Sequence, residues 1–114
     1  MSCHEIGHGL NSVVKVVLSE YDNGNISYDS AHKIIKQCRD AVHYCDGNSY
    51  EALECFEEQG RCMSCLNKTN NLLRVFELPN VHKNISKKLE KASYGDKLLG
   101  GYICENCIKE FEGE

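Results

Sequence analysis

Two pairs of cysteines, each spaced CxxC, constrain this chain more than any other feature of its sequence. Cys62 and Cys65 form the first pair, and Cys104 and Cys107 form the second. A spacer of two residues lets one tight turn point both thiolates at the same ion, and two such turns complete a tetrahedral site. The spacing therefore predicts one structural zinc ion held by these four cysteines.

Redox and disulfide chemistry are the alternatives for the two pairs. A thioredoxin-like CxxC belongs to a βαβ context, which this sequence lacks. The N-terminus shows no basic stretch followed by an apolar one, so we expect no secretory signal and a reducing, cytoplasmic location. Residues 62–114 are also only 53 residues long, too few to build a large core of their own. We expect zinc to offset that deficit, because a structural site contributes about 10–16 kcal/mol of folding free energy.

Acidic and basic residues are distributed unevenly along the chain. Residues 1–60 hold ten acids and four Lys or Arg, whereas residues 61–114 hold seven acids and nine Lys or Arg. This shift predicts a helical unit over 1–60 and a four-cysteine zinc unit over 61–114, joined in one compact fold. The acidic excess of the first unit disfavours nucleic acid as its partner, because phosphate contacts need cations. A basic protein suits it better.

Helical periodicity dominates the first unit. Apolar residues at i, i+3, i+4 and i+7 predict one amphipathic helix over 6–21 and a second over 28–45, with Ser27 as the N-cap of the second. A third short helix is predicted over 48–60. The connection between the first two helices is short, so we expect them to run antiparallel.

The second unit combines strands with helices. Residues 72–78 (LLRVFEL) and Tyr102-Ile103 have the composition of strands, and residues 107–111 can form a final helical turn or two. A basic helix is predicted between the strands, with lysines at Lys83, Lys87, Lys88 and Lys91. The predicted fold class is α+β and mainly helical. It comprises a three-helix unit packed on a small zinc finger, which has a short β-hairpin and a helical insertion.

The order of a CxxC turn, two strands and a CxxC entering a helix resembles a treble-clef zinc finger. Within that group, RCMSCLNK and YICENCIKEF resemble the two halves of the N-terminal zinc-binding domain of the ClpX unfoldase. The chain departs from this family at Leu66-Asn67, where the family has glycine, and in its longer spacer. The resemblance implies recognition of other proteins, homodimerisation, and zinc-ligand roles for Cys62, Cys65, Cys104 and Cys107.

Near the N-terminus, residues 4–8 read HEIGH and match the HExxH pattern of zinc metalloproteases. A zinc hydrolase needs a third protein ligand besides His4 and His8. The extended pattern HExxHxxGxxH would place glycine and histidine where this chain has Asn11 and Val14. Helical periodicity also turns both histidines away from the apolar stripe and toward water. We therefore predict no enzyme and keep an HExxH metallohydrolase as an alternative.

A second metal site is a further alternative at the same end of the helical unit. If the helices over 6–21 and 28–45 are antiparallel, the start of the first lies beside the end of the second. A second zinc site would then draw on Cys3, His4, His8, His43 and Cys45. The competing interpretation is burial as small apolar side chains, because the apolar stripes carry Cys38, Cys45 and Cys55.

Two charged surfaces bear on function. One is an acidic stripe on the third predicted helix, either a solvated face or a docking patch for a basic partner, formed by Glu51, Glu54, Glu57 and Glu58. The other is the lysine-bearing segment, which either faces solvent or neutralises phosphates. We expect a non-enzymatic, zinc-stabilised protein-binding module, an adaptor or inhibitor of phage or mobile-element type aimed at a nucleic-acid enzyme. A nucleic-acid-binding zinc-finger regulator is the alternative.

Overall fold

A computed structural model of the chain describes residues 3–44, 49–77 and 98–112. The chain divides into two compact units, Met1–Glu58 and Gln59–Glu114. The described residues form four α-helices and one two-stranded antiparallel sheet, which confirms the prediction of a mainly helical α+β chain. None of the helices in these three ranges is both long and apolar enough to cross a membrane.

The first unit consists of three helical segments. Helix α1 covers Cys3–Asp22 and helix α2 covers Tyr28–Tyr44, so both predicted amphipathic helices are present. The third segment begins as a 3₁₀ helix at Ser49–Leu53 and continues as helix α3 at Glu54–Gln59. Asn48, the predicted start of this segment, lies outside the described residues.

Polar and glycine caps set the ends of these helices. The hydroxyl oxygen of Ser27 accepts a hydrogen bond from the N–H of Ser30 at 3.1 Å, which is the N-cap that the sequence predicts for α2. The chain leaves α1 through Gly24, whose φ of 75° disfavours any residue with a Cβ atom. Gly60, with a φ of 65°, ends α3 in the same way.

The core of the first unit lies where α1, α2 and the 3₁₀ segment meet. Its apolar side chains come from the helical stripes that the periodicity predicts. Complete burial of one such side chain stabilises the fold by about 1.5–3 kcal/mol. The largest side chains with 2% exposure or less are Val14, Leu18, Ile35, Leu53 and Phe56.

The third segment packs closely against α1 around Gly7. A Cβ atom at this position would lie 2.8 Å from the Cβ and from a carboxylate oxygen of Glu51, closer than real Cβ atoms come to a neighbour. One turn further along α1, Asn11 is buried, and its Oδ1 accepts a hydrogen bond from the backbone N–H of Cys55 at 3.0 Å. The first N–H groups of a helix have no partner within it, so Asn11 caps the start of α3 from another helix.

The second unit contains a small sheet and one helix. Strand β1, Leu72–Arg74, pairs antiparallel with strand β2, Tyr102–Cys104, and Leu73 lies opposite Ile103. Helix α4, Glu105–Glu112, follows β2 directly. The predicted lysine-bearing helix between the strands falls in 78–97, outside the described residues. The apolar side chains buried in this unit include Val75, Leu98, Leu99, Ile103 and Ile108.

The first strand is shorter than the sequence predicts. We predicted a strand over 72–78, but β1 ends at Arg74 and Val75–Glu77 forms a 3₁₀ turn. The N–H of Val75 still reaches the carbonyl of Gly101 at 2.8 Å, while its side chain is 1% exposed. The apolar run therefore supplies a short strand and then a buried turn, which a sequence pattern does not distinguish from a longer strand.

Two helical glycines form a matched pair for testing the packing around α1. Gly7→Ala should lower the free energy of unfolding by about 1–3 kcal/mol, because Glu51 must move away from the added methyl group. Gly9→Ala should raise it by about 1 kcal/mol, because its Cβ position is open and alanine is the better helix former. Urea denaturation measures both changes. Shifts of equal sign and size would contradict the close approach at Gly7.

The cap that Asn11 provides is tested by its removal. Asn11→Ala should lower the free energy of unfolding by about 1–3 kcal/mol, because the N–H of Cys55 then loses its buried acceptor. Ser12→Ala is the control, since Ser12 is an exposed neighbour on the same helix and should shift stability by less than about 0.5 kcal/mol. Thermal or urea denaturation gives both values. Equal stability of the two variants would argue against the cap.

Candidate metal centre

The four cysteines of the CxxC pairs converge in the second unit. The sulfur atoms of Cys62, Cys65, Cys104 and Cys107 all lie within 4.8 Å of one another, and those of Cys62 and Cys107 are 3.7 Å apart. A tetrahedral ion with metal–sulfur bonds of about 2.3 Å has its sulfurs about 3.8 Å apart. A disulfide needs about 2.05 Å. The group therefore fits one metal ion, and its members are separate thiols.

The first pair lies on a tight hairpin. A bridge between Arg61 and Lys68 closes the hairpin at its base. The N–H of Cys62 donates to the carbonyl of Asn67 at 3.0 Å, and the N–H of Leu66 donates back to the carbonyl of Cys62 at 2.9 Å. These bonds fold the CxxC segment into a turn, so both thiols of the pair point to the same side.

The hairpin turns at Leu66, a position where the family that this segment resembles has glycine. Its φ is 69°, in the left-handed region, which costs a residue with a side chain about 1–2 kcal/mol. The same side chain is fully buried. Burial of a leucine side chain contributes about 1.5–3 kcal/mol, so it offsets the backbone strain that glycine would avoid.

The second pair lies where the sheet ends and a helix begins. Cys104 is the last residue of β2, and Cys107 lies in the first turn of α4. The N–H of Met63 donates to the carbonyl of Tyr102 at 2.9 Å, and the N–H of Leu99 donates to the carbonyl of Met63 at 3.1 Å. Backbone hydrogen bonds thus hold the first hairpin against β2, which brings the two pairs together.

Hydrogen-bond donors surround the sulfur atoms. The sulfur of Cys62 accepts bonds from the backbone N–H groups of Ser64 and Cys104, each at 3.3 Å. The hydroxyl of Ser64 also bonds to the sulfur of Cys107 in the second pair. Donors of this kind favour a thiolate over a thiol, and the thiolate is the form that binds a metal.

Hydrogen bonding and burial shift the pKa values of three thiols in this group, those of Cys62, Cys65 and Cys107. A hydrogen bond from Cys62 lowers the pKa of Cys65 to about 5, and that bond together with burial holds the pKa of Cys62 far above its ordinary value. Burial raises the pKa of Cys107 to about 12. One thiolate is thus stabilised by neighbours that keep their protons. A bound divalent cation would replace those protons, so metal uptake releases them.

The HEIGH segment has a packing role in this structure. Gly7 allows the close approach of the third helical segment, and Nδ1 of the half-exposed His8 lies 3.8 Å from a carboxylate oxygen of Glu54. The helical periodicity predicts that His4 and His8 face water. The side chain of His8 is exposed, as predicted, although Glu54 lies beside it, and the side chain of His4 lies outside the described residues. Within the described residues, the four-cysteine group is the one cluster of three or more side chains placed to hold a metal.

The alternative of a second metal site is described only in part. The side chain of His8 lies beside Glu54, and His43 is exposed near the end of α2. The side chains of Cys3 and His4, and the whole of Cys45, lie outside the described residues. The second site therefore stays the less favoured alternative. The thiols of Cys38 and Cys55 are buried, as the apolar stripes predict.

The acidic stripe lies partly against α1. Glu51 is packed beside Gly7, Glu54 lies beside His8, and Nζ of Lys15 is 3.7 Å from a carboxylate oxygen of Glu58. We predicted that the stripe is either a solvated face or a docking patch. The part of the stripe that contacts α1 corrects this prediction, because it packs within the unit. The cause is the tight approach of the two elements, which the composition of the stripe does not reveal.

Comparison with protein-family models, with curated proteins and with solved structures found no match for this chain. The resemblance of RCMSCLNK and YICENCIKEF to the zinc-binding domain of ClpX therefore stays a prediction. Function has to be argued from the metal centre and from the surface of the described residues.

Loss of one thiol should remove the metal. Cys62→Ala should weaken zinc binding more than about 100-fold, because the three remaining thiolates leave one coordination position to water. Substitution of a residue that only contacts a ligand weakens metal binding by up to about 100-fold, and loss of a ligand should exceed that. Cys38→Ala is the matched control, since burial raises the pKa of this thiol and it lies outside the four-cysteine group. The zinc content of each variant after gel filtration measures the effect. Equal zinc in Cys62→Ala and the parent chain would exclude the site.

Proposed function

We propose that this chain is a zinc-stabilised protein-binding module with no enzymatic activity of its own. The convergence of four cysteine sulfurs within 4.8 Å of one another carries the proposal. Four thiolates in tetrahedral arrangement are typical of structural zinc. A catalytic zinc site keeps one position for water or substrate, whereas the four cysteines supply every ligand here. The site therefore favours a structural role.

The order of elements around the site supports a treble-clef zinc finger. A hairpin carries the first pair of ligands, β1 and β2 follow, and α4 carries the last ligand in its first turn. One ion bound there would link a hairpin, a sheet and a helix. Such a link makes a rigid scaffold from a short segment, which is what a recognition module requires.

Exposed apolar side chains on the first unit support a protein partner. Val16 is 61% exposed and Tyr44 is 89% exposed. Val13, at 44% exposure, is three residues from Val16 and lies on the same side of α1. Aromatic and aliphatic side chains of this kind form the centres of protein interfaces, where charged residues are depleted.

The charges of the first unit favour a basic partner over nucleic acid. Residues 1–60 hold ten acids and four Lys or Arg. Three of the four Lys and Arg side chains in this unit form ion pairs with acids: Lys15 with Glu58, Lys36 with Asp40, and Arg39 with Asp40. An acidic surface with apolar centres suits the basic groove of a nucleic-acid enzyme, so we propose an adaptor or inhibitor role. The nucleic-acid alternative depends on Lys83, Lys87, Lys88 and Lys91.

Affinity capture tests this proposal directly. The zinc-loaded chain should retain a basic protein from nuclease-treated lysate of its native host, and the purified pair should bind in solution. A Val13→Asp, Val16→Asp variant should weaken that affinity at least about tenfold, because the new charges must be desolvated at an apolar contact. A Ser12→Asp, Ser19→Asp variant is the control, with the same added charge at exposed positions of α1.

Binding to labelled DNA or RNA separates the two functions. A steep loss of nucleic-acid affinity with salt, removed by changing the four lysines of 83–91 to alanine, would favour the nucleic-acid alternative. Loss of the protein partner after nuclease treatment would point the same way. Gel filtration of the same samples reports whether two copies associate.

A further inference from the structure

Arg61 is a buried cation beside the metal centre. Its exposure is 2%, although arginine is rarely buried without partners. It directly precedes the first ligand, Cys62, and forms one side of the bridge at the base of the hairpin. A charged group in this position needs a structural reason, because its removal from water opposes folding.

The guanidinium of Arg61 spans the inside of the hairpin. Its Nη1 donates to the carbonyl of Leu66 at 2.9 Å, and its Nε donates to the side-chain oxygen of Gln59 at 2.7 Å. Two fixed acceptors hold the planar guanidinium in one orientation. The bond to Leu66 falls on the residue with the left-handed backbone, immediately after the ligand Cys65.

One peptide plane connects this arginine to the metal site. The carbonyl of Leu66 and the N–H of Asn67 belong to the same peptide unit, which is planar. The N–H of Asn67 donates to the sulfur of Cys65. Because Arg61 holds the Leu66 carbonyl in place, it also fixes the direction of the Asn67 N–H, which points to the opposite side of the same peptide plane. It also polarises the amide, which makes that N–H a stronger donor.

We propose that Arg61 is a positioning residue for the metal centre, acting through the Leu66–Asn67 peptide on the sulfur of Cys65. The inference rests on the proposed zinc site and adds the group that orients it. Its charge has a second effect. Four thiolates and one divalent cation carry a net charge of −2, and a buried guanidinium in the same hairpin offsets part of it.

Metal titration of four chains tests this role. Arg61→Met keeps the apolar stem of the side chain and removes its hydrogen-bond donors. It should weaken zinc binding about 10–100-fold, which is the usual effect of changing a residue that holds a metal ligand in place. Arg61→Lys keeps the charge without the planar fork and should fall between Arg61→Met and the parent chain. Arg74→Met is the control, because Arg74 is 55% exposed on β1 and should leave the affinity unchanged.

A spectroscopic readout separates positioning from general stability. With ¹¹³Cd²⁺ in place of zinc, the parent chain and Arg74→Met should show scalar coupling between the metal and the Asn67 amide proton through the sulfur of Cys65. Arg61→Met should lose that coupling while it still binds cadmium. If Arg61→Met does not fold, Arg61→Lys should show the coupling reduced.

The outcomes distinguish this inference from the proposed function. A parent chain that binds neither zinc nor cadmium would overturn both. A parent chain that binds the metal, together with an arginine variant of unchanged affinity and unchanged Asn67 coupling, would overturn the role of Arg61 alone. An arginine variant that is merely less stable, with parental metal affinity, would also overturn it.

Discussion

The meeting of four sulfur atoms at one point governs the structure of the second unit. Two of them come from a hairpin and two from the junction of β2 with α4, so a single bound ion would link three elements at once. Backbone bonds through Met63 already align the hairpin with β2. A hydrogen bond with Cys65 together with burial raises the pKa of Cys62, and burial raises the pKa of Cys107, so these two thiols hold their protons until a cation replaces them. A bound cation would therefore contribute to the folding free energy of this unit.

The features that the sequence predicts well are those that depend on neighbouring residues. The CxxC spacing brings the two thiols of each pair into one turn, and the sulfurs of both pairs do lie together as one candidate metal site. Helices α1 and α2 follow from their apolar periodicity, and Ser27 caps α2 because a cap acts within one helical turn. The short β1 is the exception, since the point where it ends, Arg74, lies opposite the first residue of the partner strand β2.

The features that the sequence does not reveal depend on distant elements that touch. HEIGH contains a glycine because Glu51 passes close to it, and Asn11 is buried because it accepts a hydrogen bond from Cys55, 44 residues later. Part of the acidic stripe contacts α1 for the same reason. Leu66 shows the limit of motif comparison, because a fully buried leucine occupies a backbone conformation that pattern matching assigns to glycine.

The pairing of β1 with β2 continues for one residue beyond the strands. Val75 and Gly101 are joined by a backbone hydrogen bond, and Leu98 and Leu99 are fully buried just before the chain reaches β2. This bond helps to fix the register that places Leu72 opposite Cys104. A slip of one residue would turn every side chain of β2 to the opposite face of the sheet. The direction of the Cys104 thiol therefore depends on a backbone contact at the far end of the same strand.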